Sequence, residues 1–168
     1  MKYILYIVFL LTCQSACAQD YFDLYRAQYQ CAYNYINDIN KGEKITISHT
    51  IVDLERWAFI QDLSVFPEAK EKVQSHSIQY VYNRKNDIYS KKITSLGAKR
   101  KSSKYIIFFS PIIDNMLVAS VIPYNKHKKR FVNDYERMAF QITCDDYLFL
   151  FDADMKLIKV LHANIICN

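Results

Sequence analysis

Residues 104–123 read KYIIFFSPIIDNMLVASVIP, and this stretch decides the fold. It contains two apolar runs, Tyr105 to Phe109 and Met116 to Ile122, each long enough for a strand. Between them, Pro111 and the pair Asp114-Asn115 supply the residues that turns prefer. The stretch therefore predicts a β-hairpin.

A second hairpin is predicted further along the chain. Residues 147–151 are apolar, residues 156–161 contain four apolar residues and two lysines, and the polar turn 152–154 separates the two segments. Residues 162–167 extend the last strand in this interpretation. The connection between the two hairpins holds one predicted short helix within residues 132–140.

The region before the hairpins has helical spacing instead. Apolar residues of the segment 20–41 recur on one broad face, and Gly42 follows where a helix commonly ends. A second helix is predicted over 51–63, because Thr50 and Asp53 have the spacing of an N-terminal cap.

A third helical region is predicted to begin at Pro67, which suits the first turn of a helix. Helical spacing then continues to Leu96, with a break near residues 83–87. The alternating pattern of residues 78–82 leaves a strand open as the alternative at that point.

Together these elements predict an α+β fold, with N-terminal helices packed on a C-terminal antiparallel sheet of about four strands. No internal repeat and no Pro/Ser-rich linker divides the chain, so residues 19–168 are predicted to form a single domain. A chain of this size buries roughly 70% of the surface that its unfolded form exposes, which is enough for an ordinary core.

The first 18 residues are predicted to be a signal peptide. A short basic start precedes the uncharged run 3–12, and Ala16-Cys17-Ala18 places small residues where a signal peptidase acts. The run is about half as long as a transmembrane helix needs. We therefore expect an exported protein, in the periplasm or secreted, that begins at Gln19 and keeps no transmembrane segment.

The cysteines bear on both anchoring and disulfides. Cys17 or Cys13 is the alternative site of a lipid anchor. After cleavage an odd number remains, namely Cys31, Cys144 and Cys167. The predicted hairpin register separates Cys144 from Cys167 by about 13 Å, which disfavours that bridge. A bridge from Cys31 to either of them, or three free thiols, stays open.

The sequence argues against several enzyme classes. Gly42 and Gly97 are the only glycines, which excludes Gly-rich phosphate-binding loops. No nucleophile, metal or cofactor motif is present, so we assign no catalytic residue, no metal ligand and no cofactor. The histidines have no partner that is recognisable from spacing; they are His49, His76, His127 and His162.

Positive charge is concentrated in the middle of the chain. Residues 84–130 contain 12 basic and two acidic side chains, a net charge of +10. Two runs flank the first predicted hairpin at the same end, and both attract anionic surfaces. The candidate binding residues for an anionic partner are Lys99, Arg100, Lys101, Lys126, Lys128, Lys129 and Arg130.

These observations favour an exported, non-enzymatic binding or interaction protein. Its basic patch is expected to meet an acidic protein or an anionic membrane surface. Nucleic acid is disfavoured, because the protein is exported and its basic runs lack interleaved aromatic residues. An inhibitor or immunity protein is a narrower version of this hypothesis. The alternative is a small periplasmic hydrolase whose histidine and carboxylate meet only on folding.

Overall fold

The computed structural model describes residues 21–80, 87–97, 103–124 and 130–167. They form a mixed α+β fold in which helices cover both faces of one six-stranded sheet. The helices are α1 (Arg26–Ile39), α2 (Pro67–Tyr80) and α3 (Tyr135–Ala139). The strands are β1 (Ile45–Ile51), β2 (Ile88–Tyr89), β3 (Tyr105–Phe109), β4 (Met116–Pro123), β5 (Ile142–Phe151) and β6 (Leu157–Cys167).

The strand order is β2-β1-β3-β4-β5-β6. Strands β3 to β6 form an antiparallel meander of two hairpins joined through the β4–β5 pair. Strand β1 runs parallel to β3, and β2 pairs antiparallel with β1. The two predicted hairpins are therefore confirmed, but the sheet has six strands rather than about four and is not wholly antiparallel.

Two hydrophobic clusters explain why the central strands are continuously apolar. On one face, here called the α1 face, α1 packs through Tyr29 and Ile36 against Phe109 and Phe149. On the opposite face, the α2 face, Val73 of α2 lies in a cluster with strand residues that include Phe108. A strand that is buried on both faces needs apolar residues at consecutive positions rather than at every second one.

Helix α1 is held to the sheet by tyrosine hydroxyls as well as by apolar packing. Tyr29 donates to the carbonyl of Ser110 over 3.0 Å, and Tyr21 exchanges hydrogen bonds with the backbone of Ile112. The helix ends before Gly42, whose φ of +72° is in the left-handed region that glycine tolerates. The predicted N-terminal helix is confirmed, with residues 21–24 also helical.

The predicted helix over 51–63 is wrong. Residues 45–51 form strand β1, because their β-branched side chains alternate across a sheet whose two faces are both covered. The rest of that range contains two short 3-10 turns, Trp57–Phe59 and Asp62–Val65. Thr50 does not cap a helix, since its hydroxyl donates to the carbonyl of Asn133 over 3.0 Å.

The prediction after Pro67 is correct for its first part. Helix α2 begins at Pro67 as expected, and α3 lies within the predicted range 132–140. The helical continuation towards Leu96 is wrong, since β2 and a 3-10 turn, Lys92–Leu96, replace it. The short run of β2 completes a hydrogen-bonded pair with β1 that local spacing did not indicate.

The last hairpin has a different register from the predicted one. Cys144 lies opposite Ile165 rather than residue 163, because five residues connect the strands and a bulge follows at Leu150/Phe151. Cys167 is thus two residues beyond the position opposite Cys144, not four. Strand β5 also begins five residues earlier than predicted, so Asp145 and Asp146 lie inside it.

Candidate functional site

The two edges of the sheet differ sharply. Strand β2 closes one edge with only two residues, whereas β6 forms the other with eleven. Proteins usually protect an edge by keeping it short, charged or covered, because its unpaired backbone groups bind other strands. No strand in the part of the chain that the structure describes pairs with the outer side of β6.

The side chains of β6 do little to protect this edge. Residues 160–166 carry no Asp, Glu, Lys or Arg, and none of the side chains from 157 to 166 is buried. Ile158 is 55% exposed and Ile166 is 68% exposed. Trp57, half-exposed, is part of a 3-10 turn that lies beside the strand. The edge therefore offers backbone hydrogen bonds flanked by apolar surface, which is the chemistry of strand addition.

A polar cluster lies on the α1 face of this hairpin. His162 Nε2 is 3.0 Å from Asp145 Oδ1, and Asn164 Nδ2 donates to the same oxygen over 2.8 Å. The His162 ring stacks on Tyr147 with ring centroids 4.7 Å apart, and Tyr35 of α1 packs edge-on against Tyr147. This histidine–carboxylate pair was not recognisable from spacing, because the two residues meet only across β5 and β6.

Of the other histidines, the structure shows ring contacts for His49. His49 stacks on Tyr89, whose hydroxyl is 3.3 Å from His49 Nδ1. His76 belongs to α2, and His127 lies outside the described residues. Among the described residues, no group of three or more His, Cys, Asp or Glu side chains is arranged to hold a metal ion.

The neighbouring carboxylate, Asp146, has the opposite environment. It points to the α2 face, where it is 3% exposed and hydrogen-bonded to Ser120, and its Oδ1 has no hydrogen-bond partner among the described residues. Burial raises the pKa of Asp146 to about 6, against the hydrogen bond from Ser120. Asp146 lies directly opposite Ala163 of β6, so this buried acid is adjacent to the open edge.

A cavity of about 530 Å³ lies at the other end of the edge. It is bounded by the start of α2 and by the turns 114–115 and 152–153, and Ile158 of β6 contributes to its wall. Its charged lining residues are of both signs: Lys72 is positive, and Glu68, Asp114 and Asp152 are negative. The cavity makes this end of β6 concave, but its lining does not indicate one class of small ligand.

Of the seven predicted basic-patch residues, the structure describes Arg130 alone. It is exposed, and its guanidinium lies 4.7 Å from the centre of the Phe131 ring. The other six lie outside the described residues: Lys99, Arg100, Lys101, Lys126, Lys128 and Lys129.

The described flanks of the two basic runs are nevertheless adjacent. The Tyr124 amide donates to the Lys104 carbonyl over 2.6 Å, so both runs depart from the same end of the β3–β4 hairpin. Two lysines near them are already neutralised, because Lys104 pairs with Glu43 and Lys92 pairs with Asp23.

The open edge is the feature that sequence reasoning missed. The sequence indicated that residues 162–167 extend the last strand, but which strand lies at the edge depends on the order of strands in the sheet.

Within the described ranges, no helix is long and apolar enough to cross a membrane. No protein family, curated protein or solved structure matches this chain.

Proposed function

We propose that this chain is an exported, non-enzymatic interaction protein that binds a partner by accepting a strand at the edge of β6. The observation that supports it is the contrast between the two-residue edge strand β2 and the eleven-residue edge strand β6. Backbone hydrogen bonds would provide affinity, and the exposed apolar side chains beside them would provide selectivity. A periplasmic inhibitor or immunity protein is one form of this function.

The basic segments indicate an acidic partner. Residues Val121, Asp145 and Asn164 are aligned across β4, β5 and β6, so the end of β4 and the C-terminal end of β6 lie at the same end of the sheet. Two strand spacings, about 10 Å, separate them. The basic runs 99–101 and 126–130 adjoin this end of the β3–β4 hairpin in the sequence, so we expect them to raise the rate at which an acidic protein associates with β6. A membrane has no strand to add, so we place it second.

Reversing charge in the basic run is expected to weaken binding without unfolding the protein. The triple variant Lys128→Glu, Lys129→Glu and Arg130→Glu should lose at least about tenfold in retention on immobilised polyglutamate at low salt. Its melting temperature should equal that of the wild type. Vesicles of equal parts phosphatidylcholine and phosphatidylserine form the parallel arm. Unchanged retention on both surfaces would contradict the role of the patch, and loss on the vesicles alone would favour a membrane.

A lysine placed on the edge is expected to abolish strand addition. Ile166→Lys adds a charge at a side chain that is 68% exposed, so folding should change by less than about 0.5 kcal/mol. Leu24→Lys, at a side chain on α1's side of the fold that is 72% exposed, is the matched control. In affinity capture from the host's envelope fraction, a partner should be retained by the wild type and Leu24→Lys and lost with Ile166→Lys. Equal retention by all three would reject the proposed function.

The second candidate is a small hydrolase that uses His162 and Asp145. The observation that favours it is the 3.0 Å contact between them, since a carboxylate can orient an imidazole as a general base. It ranks second because both side chains are nearly half exposed on a sheet surface. The thiol on the neighbouring helix is also a poor nucleophile, since burial raises the pKa of Cys31. A histidine-dependent esterase activity would promote this candidate over the first.

A further inference from the structure

Strand β6 contains a chemical palindrome. Residues 160–166 read VLHANII, with Ala163 at the centre. One polar residue stands on each side of Ala163, and two aliphatic residues stand beyond each polar one. A strand with this pattern is complementary to its own reverse, because antiparallel pairing places equivalent positions on the two sides of a centre opposite each other.

Pairing two copies of β6 about Ala163 matches every residue with one of its own kind. Each pair lies on one face of the joined sheet, as the period of two requires. Val160 would lie opposite Ile166 of the second copy, Leu161 opposite Ile165, His162 opposite Asn164, and Ala163 opposite itself. Aliphatic and β-branched pairs of this kind stabilise adjacent strands.

Neighbouring registers mismatch the strand. A shift of one residue would place side chains from the α1 face of one copy opposite side chains from the α2 face of the other. Centring on His162 places that histidine against itself and Val160 against Asn164. Centring on Asn164 places Ile166 against His162. Among these registers, the one centred on Ala163 leaves no apolar residue of 160–166 opposite a polar one.

Charge and exposed surface agree with this register. Lys156 precedes β6 and Lys159 lies within it, but both are outside the matched segment, and the two copies of Lys159 would be about 27 Å apart. Ile166, which is 68% exposed, would be covered by Val160 of the second copy. Seven paired residues extend over about 24 Å, so the interface is at the small end for proteins and indicates a reversible association.

We infer that a second copy of this chain occupies the β6 edge, forming a two-fold dimer with a continuous twelve-stranded sheet centred on Ala163. This inference rests on the proposed function, since it names a partner of the same edge. The dimer would then protect the β6 edge until the other partner binds and displaces the second copy.

Cysteine cross-linking tests the register. In residues 19–168 carrying Cys31→Ser, Cys144→Ala and Cys167→Ser, Ala163→Cys should form a disulfide-linked dimer under oxidised glutathione; Cys144 is removed because it lies directly opposite Ile165 and would pair with Ile165→Cys within one copy. Directly opposite residues have Cα atoms about 4.5–5.5 Å apart, within reach of a disulfide. Ile165→Cys is the matched control, because its two copies would be about 13 Å apart. If Ala163→Cys does not fold, mixing Leu161→Cys with Ile165→Cys should give the mixed dimer alone.

Sedimentation equilibrium of the wild type supplies the second measurement. We expect a monomer–dimer equilibrium that Ile166→Lys shifts at least about tenfold towards monomer and Leu24→Lys leaves unchanged. Two results would overturn the inference: a monomer at every concentration, or a dimer in which Ile165→Cys cross-links as readily as Ala163→Cys. A monomeric protein that still loses its envelope partner through Ile166→Lys would remove the dimer and leave the proposed function standing.

Discussion

Replacing Asp146 by asparagine is expected to stabilise the protein by about 2 kcal/mol at pH 8. The carboxylate is buried on the α2 face of the sheet, and burial raises its pKa to about 6 from an ordinary value of 3.8. That shift corresponds to about 3 kcal/mol of disfavoured ionisation above pH 6. An amide has no charge to desolvate, but its polar atoms would also lack some hydrogen bonds, which costs about 1 kcal/mol and leaves a net stabilisation of about 2 kcal/mol.

The expected pH dependence has a definite sign. Because the folded-state pKa is raised, the unfolded chain releases the Asp146 proton first, near pH 4, and the folded protein releases it near pH 6. Stability from this group is therefore full below pH 4 and falls by about 3 kcal/mol as the pH rises through 6. In Asp146→Asn this part of the pH dependence should be absent.

Urea denaturation from pH 4 to pH 8 checks both statements. The exposed Asp154→Asn is the matched control, and it should stay within about 0.5 kcal/mol of the wild type. The difference in free energy of unfolding between Asp146→Asn and the wild type should grow between pH 4 and pH 6.5 and then level off. A difference that is constant over the whole range would contradict the raised pKa.

The adjacent aspartates show what the sequence predicts and what it does not. Asp145 and Asp146 differ by one position, so in a strand they must point to opposite faces. The sequence placed them outside the strand, because no periodic apolar pattern continues through them. The structure adds that Asp145 meets His162 and Asn164 while Asp146 is buried beside Ser120. These contacts cross between strands, and the β5–β6 register depends on a bulge that spacing does not reveal.

The hairpin β3–β4 was predictable because its information is local. Its apolar runs are adjacent in the chain, and Asp114 and Asn115 tolerate the positive φ angles, 53° and 60°, that the tight turn requires. Strand β1 was not predictable in the same way. It pairs in parallel with β3, more than fifty residues away, and the spacing of Thr50 and Asp53 also fits a helix cap. Tertiary pairing decided between two local patterns of similar strength.

The candidate site likewise combines features that are local in the sequence with a feature that depends on the tertiary fold. The sequence contains the palindromic segment 160–166 and the basic runs, and both can be read directly. The position of β6 at the end of the sheet is a property of the strand order, as is the placement of β1, β3, β4 and β5 between neighbouring strands. An apolar strand becomes a binding surface when the fold leaves one side of it unpaired.

A buried arginine carries the other large expected effect. Arg56 is 2% exposed, and its guanidinium donates to the carbonyls of Leu54 and Pro111 and pairs with Asp53 Oδ1 at 3.4 Å. It thereby ties the segment after β1 to the loop between β3 and β4. Burial lowers the pKa of Arg56, and the charge of Asp53 opposes that shift.

Arg56→Ala is expected to destabilise the protein by about 3–5 kcal/mol, because it removes the donors of two carbonyls and leaves a cavity where the side chain packed. Arg56→Lys should recover only part of the loss, since an ammonium group cannot reproduce the planar fork that reaches both carbonyls. Urea denaturation at pH 7 measures both variants against Glu55→Ala, an exposed neighbour that should change stability by less than about 0.5 kcal/mol. If Arg56→Ala were as stable as Glu55→Ala, the guanidinium would not be what holds the β3–β4 loop, and the hydrogen bonds of Tyr21 and Tyr29 to Ile112 and Ser110 would have to do so alone.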